Sequence, residues 1–357
     1  MRKITFDAKG ASFFNSVKEK VDRYFSEQHL DPTGSRKLYV KSSILVVSAL
    51  SLYCLLVFFN LPTWIAIGAC ALLGFNLAAI GFNIMHEGGH QSFSKYPWLN
   101  SLSAYFLNVL GGNTYYWKIK HNINHHTYTN IEGVDSDIDV KPFMRLHEEQ
   151  PRHAIHRFQH IYWVVLYGIS YIAWVFHDDF VKYFSKRVSP TSPKKNLSVK
   201  EHFIFWVTKV FYVSVYIVVP IFMVGVLKAV VGFLIVTIVC GLFISIVFQL
   251  AHAVEGTEFS MPDKSTDKVE EEWAVHQVHV TSNFATRSKL LFWLLGGLNF
   301  QIEHHLFTRV SHIHYPQISR IVRETCKEYN IIYNEYPTMI RAFFSHVLFL
   351  RKMGTSA

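Results

Sequence analysis

The chain has 357 residues, 50% of them apolar and only 17% charged, where a soluble domain carries roughly 25% charged residues. Thirty Phe, 18 Tyr and eight Trp exclude intrinsic disorder. The 35 Lys and Arg against 26 Asp and Glu, a formal charge of +9, ask for an anionic partner surface.

The first forty residues contain no apolar core of signal-peptide length. Phe13, Phe14, Val17, Val21, Tyr24 and Phe25 recur at helical spacing, which predicts an amphipathic helix lying on a bilayer or packed on the protein body. From 42 to 85 there is no Asp, Glu, Lys or Arg. A hydrocarbon core about 30 Å thick needs roughly 20 helical residues, so this stretch fits two spans. The break Asn60-Leu61-Pro62 places them near 43–60 and 63–85. A second charge-poor pair runs over 210–227 and 229–251, interrupted by Gly225 and Lys228. Lys209 is expected near the end of its span, its stem reaching toward the headgroups.

Basic residues set the orientation. Arg2, Lys3, Lys9, Lys18, Lys20, Arg23, Arg36, Lys37 and Lys41 precede the first span, and 141–202 and the tail after 309 are also basic. By the positive-inside rule both termini and both large polar regions face the cytoplasm. Residues 189–195 (SPTSPKK) read as an exposed loop. Cys54, Cys70, Cys240 and Cys326 show no CxxC spacing, which argues against a disulfide scaffold or a zinc ribbon.

The unusual count is 20 His, and three clusters stand out. His86-Glu-Gly-Gly-His90 ends the second span, His121-Asn-Ile-Asn-His125-His126 follows, and Gln301-Ile-Glu-His304-His305 comes late. Helical residues four apart share a face, so His86 and His90 can reach one ion, as can His121 and His125. His126 lies about 100° round from His125 on an α-helix. Gln301, His304 and His305 share a face, and His252 ends the fourth span. Neutral imidazole suits zinc, copper, iron and nickel. Eight candidate imidazoles exceed one tetrahedral zinc, so two ions sharing the site is the economical inference.

HEGGH, then HNINHH, then a distant QIEHH resembles the membrane fatty acid desaturases. The glutamine opening the third box, the surrounding LNFQIEHHLF (298–307) and the His314-Tyr315 pair are similar to the front-end branch. The resemblance covers roughly residues 40–340. It implies an all-α integral membrane fold in which four transmembrane helices carry a cytoplasmic helical cap. It also implies a non-haem di-iron centre and O2-dependent removal of two hydrogens from a fatty acyl chain carried on CoA or lipid. The matching ligand positions are His86, His90, His121, His125, His126, His304 and His305, with His252 as the extra histidine and Gln301 in place of a ligand histidine. No His-Pro-Gly-Gly motif of a fused cytochrome b5 domain is present, so the resemblance implies a separate electron donor, cytochrome b5 or ferredoxin with its reductase. Glu87, Asn122, Asn124, Asn130 and Glu303 are candidates to orient imidazole N–H groups. Gly88 and Gly89 allow close approach of a helix or a substrate.

If His90 and His121 serve one site, the chain between them crosses the membrane an even number of times, and 98–117 lies along the interface. By the same parity between His126 and His252, 161–180 is a non-spanning helix seated at headgroup depth. The domain layout is then an N-terminal arm over 1–41, a desaturase domain over 42–340 and a tail over 341–357. Asp135, Asp137 and Asp139 (VDSDID) lack the glycine and terminal glutamate of an EF-hand and read as a polar loop, with contact to the ligand imidazoles or to lipid headgroups as the alternative. His147, His153, His156, His160, His276 and His279 read as structural. The basic segments can meet a CoA pyrophosphate, lipid headgroups or an acidic electron carrier; nucleic acid is disfavoured. A hydroxylase or sphingolipid desaturase on the same scaffold is the nearest chemical alternative. A metal transporter would instead place acidic ligands mid-membrane.

Overall fold

The computed structural model describes residues 4–7, 12–189, 192–263 and 265–356; Arg2, Lys3, Lys9 and part of the 189–195 loop lie outside them. In chain order the helices are α1 (Ser12–Glu27), α2 (Arg36–Phe58), α3 (Thr63–Gly89), α4 (Pro97–Ala104), α5 (Phe106–Val109), α6 (114–128), α7 (Ala154–Ser185), α8 (Val199–Val224), α9 (Val226–His252), α10 (Trp273–His279), α11 (Lys289–Leu294), α12 (Gln301–Leu306), α13 (Tyr315–Glu328) and α14 (Met339–Thr355). Two short parallel strand pairs join distant segments, Thr5–Phe6 with Lys268–Val269 and Asn283–Phe284 with Glu335–Tyr336. The chain divides into two compact units. One comprises the described residues of 1–34, 120–163 and 247–357, the other 35–119 and 164–246.

The second unit holds the most apolar helices. Helices α2 and α3 turn about residues 59–62, with Pro62 capping α3. Helices α8 and α9 are divided by Gly225 alone, at φ +84°; Lys228 belongs to the first turn of α9, and the turn itself carries no charge. Ile44, Val47 and Leu50 on α2, Val210 and Phe222 on α8, and Leu227 and Val231 on α9 are exposed, as side chains facing lipid are. Gly74 lets α3 approach α9, since a Cβ there would lie 2.4 Å from the Val236 carbonyl; small residues do this where helices pack in membranes. A cavity of about 730 Å³ lies in this unit, lined chiefly by apolar residues such as Leu56, Phe59, Leu73, Val224 and Ile235.

Among the described residues, five helices are long and apolar enough to cross a membrane: α2, α3, α7, α8 and α9. The protein is therefore a multi-pass membrane protein. Four of the five overlap the expected spans, and two of them, α2 and α8, begin earlier, at 36 and 199, and end earlier, at 58 and 224, than charge counting placed them. The fifth, α7, contains the 161–180 segment and is the least apolar of the set. Segment 98–117 forms the short helices α4 and α5 and the start of α6.

Between α5 and α6 the backbone leaves helical geometry within this unit, and unpaired peptide groups shielded from water must find partners. Lys209 donates to the carbonyls of Gly111 (2.7 Å) and Val175 (2.8 Å) and to Asp179 (2.9 Å). Tyr171 donates to the Leu110 carbonyl, and Asn108 donates to Thr208 at 2.8 Å. Lys209 is thus buried in mid-helix as a clamp on the α5–α6 connection. The expectation that it snorkels to headgroups fails, because α8 begins ten residues before it, at Val199.

In the first unit, Phe13, Val17 and Val21 of α1 are buried in one core with Val278, Ile302, Ile318 and Val322. Of the two readings of that apolar stripe, packing on the body is the one found. The expected tail, 341–357, is for the most part α14. Its Leu350 carbonyl accepts from Gln159 Nε2 at 2.7 Å and its Met353 carbonyl from Arg145 at 2.9 Å.

Candidate metal centre

The first histidine box is the last turn of α3, directly after a π-helical segment, Gly81–Met85. The His86 and His90 rings lie 4.6 Å apart and both are buried. A Cβ on Gly88 would sit 2.6 Å from the Ala104 nitrogen of α4, and one on Gly89 would sit 2.2 Å from the Trp117 indole. The glycine pair therefore admits α4 and an indole. Trp117 lies 5.8 Å from each imidazole, forming an apolar wall on one side of the pair.

The second box lies in a π-helical stretch of α6, Lys118–His125. A π-helix bonds i to i+5, so the residue five places on returns over the first. His126 accordingly faces His121, their Nε2 atoms 3.2 Å apart, while His121 and His125 stack at 5.1 Å. The π-helical turn thus brings His126 over His121, a pairing five residues apart that α-helical counting does not give.

The third box, α12, joins the second in the first unit. The rings of His125, His252 and His305 form a near-equilateral triangle with sides of 4.7, 5.0 and 5.0 Å. The His126 ring is 4.3 Å from His305 and 4.7 Å from His304. The Gln301 amide nitrogen lies 3.0 Å from His252 Nε2 and 3.3 Å from His305 Nε2, so it donates to nitrogens that a cation would otherwise share.

Several imidazoles are held by their other nitrogen. His121 Nδ1 donates to Asp137 at 2.9 Å, His125 Nδ1 to Asp135 at 2.8 Å, and His305 Nδ1 to the Gln277 carbonyl oxygen at 2.8 Å. His304 Nδ1 meets the Tyr315 hydroxyl at 3.2 Å. An imidazole with its hydrogen on Nδ1 keeps a lone pair on Nε2. Burial lowers the pKa of His121 despite Asp137. For His125 burial acts the same way, but Asp135 outweighs it and the pKa is raised. Burial also works against the Asp137 carboxylate, yet Lys120 and the imidazoles hold it well below its usual range.

Of the five residues expected to orient imidazoles, Glu87, Asn130 and Glu303 make contacts with other groups. Glu87 accepts from Ser92 at 3.1 Å. Asn130 donates to the backbone carbonyls of His252, Glu258 and Val280. Glu303 accepts from Asn283 at 2.7 Å and Tyr333 at 2.8 Å, and burial raises its pKa to about 7. Asn124 is buried and Asn122 partly so. Gln277 and Tyr315 were missed as imidazole partners, whereas contact with the imidazoles was one of the readings of the aspartate series, and Asp135 and Asp137 make it. Only the Asp pair carried a sequence signal, two carboxylates two residues apart soon after a histidine box. His276 is structural, as expected, donating to the Thr129 carbonyl at 2.9 Å.

The donor set fits a metal. His125 is fully buried, yet its Nε2 has no hydrogen-bond partner, nor does the Gln301 carbonyl oxygen. Buried polar atoms without partners are costly, and a cation among imidazole lone pairs would relieve that cost. Groups of histidines with donor atoms close enough to share an ion include His125, His252 and His305.

Comparison with known proteins agrees with this geometry. The fatty acid desaturase family profile matches residues 62–337. A sn-1 linoleoyl-lipid 6-desaturase from Arthrospira platensis is 34% identical over 99% of this chain and 95% of its own length. One from Synechocystis is 31% identical over 97% of this chain and 96% of its own length. An acyl-lipid (8-3)-desaturase from Physcomitrium patens is 33% identical over 98% of this chain and 73% of its own length. With its buried imidazole cluster and a profile match across most of its length, this chain belongs to the fatty acid desaturase family.

Proposed function

We propose that this desaturase is of the front-end type: it inserts a cis double bond between an existing one and the carboxyl end of a lipid-bound acyl chain. Two non-haem irons would be held by His86, His90, His121, His125, His126, His252, His304 and His305, with Gln301 beside them. The observation that carries this reading is the buried imidazole cluster of boxes two and three, in which the Nδ1 atoms of His121, His125 and His305 are tied to acceptors and their Nε2 atoms turn to the cluster. When bound, the irons would supply the O2 activation that an unactivated methylene requires and no side chain provides. The chain's own part is to orient imidazoles and keep the cluster dry. The relatives' names, desaturases of acyl lipids at position 6 or of the (8-3) type, support lipid-bound substrate and front-end chemistry over a hydroxylase or a sphingolipid enzyme. Electrons would come from a separate donor, cytochrome b5 or ferredoxin.

The boxes and both termini face the cytoplasm in this reading, which rests on the basic residues flanking the spans. Helix α7 then lies on the membrane without crossing it. His125 and His252 are neighbours at 4.7 Å, so the chain between them crosses an even number of times, and α8 with α9 already makes two crossings.

The test is lipid analysis by gas chromatography and mass spectrometry. Cells fed linoleic acid express the chain, or its His304→Ala, His305→Ala double variant, together with an electron donor. A new acid unsaturated nearer the carboxyl end, from the intact chain alone, is expected. An oxygenated product would replace desaturation by hydroxylation, and a purified protein holding zinc or no metal would overturn the di-iron reading.

A further inference from the structure

We propose that Asp135 and Asp137 are positioning residues that dictate which nitrogen of His125 and His121 faces the metal centre. The inference rests on the metal reading above. It makes the VDSDID segment a working part of the site and assigns each aspartate its imidazole, which the sequence reading of a polar loop or an imidazole contact did not.

Each carboxylate divides its two oxygens in the same way. Asp135 Oδ2 accepts from His125 Nδ1 at 2.8 Å and from the Asn130 backbone N–H at 3.0 Å, and its Oδ1 accepts from the Asp137 backbone N–H at 2.9 Å. Asp137 Oδ2 accepts from His121 Nδ1 at 2.9 Å while Oδ1 pairs with Lys120 at 2.8 Å. One oxygen thus serves an imidazole, and the remaining contacts fix the carboxylate itself. The two clamps run in opposite chain order, the earlier aspartate on the later histidine, as a loop folding back along α6 requires.

The consequence is a chosen tautomer. A carboxylate can only accept, so each Nδ1 must carry its hydrogen and each Nε2 must present a lone pair. The His125 and Asp135 side chains are both fully buried, so no water competes for the role. His125 Nε2 has no hydrogen-bond partner, which leaves it available as a ligand atom. Two carboxylates beside the cluster also offset part of the charge that two cations bring and raise the basicity of the imidazoles they hold. Asp139, third in the series, does neither: its carboxylate meets the Lys141 backbone and ammonium at 3.1 Å each. It is the internal control.

The experiment uses the full chain, purified in lipid nanodiscs. In metal-free protein with 15N-labelled histidine, NMR reads the tautomers directly, and His121 and His125 are expected as Nδ1–H. Finding them as Nε2–H in the wild type would overturn the proposal without any variant. Iron affinity is then measured by competition with a chelator, together with the Mössbauer spectrum. Asp135→Ala and Asp137→Ala should each weaken iron binding about 10–100-fold and change the spectrum. Asp135→Asn, which keeps an acceptor oxygen without the charge, should fall between Asp135→Ala and wild type, and Asp139→Asn should match wild type. Wild-type affinity and spectrum in both alanine variants would overturn the proposal while leaving the metal reading intact. A wild type that binds no iron would instead sink the metal reading. Should an alanine variant not fold, the Asn variant and the wild-type tautomers decide alone.

Discussion

The first histidine box and the other two are held by different physics. His86 and His90 sit where α3 packs against α4 and the Trp117 indole, and the space for that packing comes from two missing side chains, Gly88 and Gly89. The imidazoles of boxes two and three are held by acceptors: Asp137, Asp135 and Gln277, with the Tyr315 hydroxyl beside His304. The same contrast separates the two units. In the membrane-helix unit apolar packing dominates between the long helices, so a buried charged clamp there should matter greatly. In the other unit polar contacts are many and share the load.

The largest effect should come from the clamp in the membrane-helix unit. Lys209→Met leaves Asp179 buried opposite a methionine, and removing one partner of a buried pair costs about 3–5 kcal/mol. Thermal unfolding in detergent should show this loss, with much of it recovered in Lys209→Met, Asp179→Leu. An unchanged melting temperature would break the claim that this buried clamp is indispensable to the unit.

Next is Gly89→Ala, whose methyl would overlap the indole. Overpacking of this kind costs about 1–3 kcal/mol, and the displaced turn should release iron and lower product. Adding Trp117→Leu should return both. If Gly89→Ala behaves as wild type, close packing does not hold the first box. A smaller effect is expected for Gln277→Leu, in which His305 Nδ1 loses its acceptor: iron affinity should drop by about tenfold, with the melting temperature nearly unchanged. Equal affinity would show that this box does not depend on its acceptors.

The smallest effect at neutral pH concerns His346, fully buried and donating from Nδ1 to the Ala253 carbonyl at 2.7 Å. Burial lowers its pKa to about 4, below the unfolded value of about 6.5. Between those values the unfolded chain binds the extra proton, so stability is lost as pH falls from about 6.5 toward 4. His346→Gln should lose less stability than wild type between pH 7 and pH 5 in a thermal scan. A parallel loss in both proteins would remove His346 from the account.

Much of the fold and most of the candidate site could be read without coordinates. Spans announce themselves through the absence of charge, because the cost of burying a charge in lipid is paid residue by residue and leaves a local mark. The histidine boxes announce themselves because metal ligands must recur at helical spacing. That 98–117 does not span was legible in the spacing of the boxes, because the 30 residues between His90 and His121 are too few for two spans and their turns. Interruption by one glycine was legible between α8 and α9, though the part assigned to Lys228 was not, since a single lysine fits a turn or a first helical turn equally well.

Other features depend on contacts between segments far apart in the chain, which composition and spacing do not encode. The burial of Lys209 needs Gly111, Val175 and Asp179 to converge on one ammonium. The π-helical turn that brings His126 back to His121 changes the face on which every following residue lies, and α-helical counting has no means of anticipating it. Glu303 and Asn130, next to the boxes in sequence, turn to Tyr333 and to backbone carbonyls, whereas Gln277, 28 residues before His305, holds that imidazole. Charge depletion and ligand spacing are properties of one segment and survive in the sequence; hydrogen-bond partners are chosen by whatever donor or acceptor folding brings within about 3 Å, and that choice exists only in the folded chain.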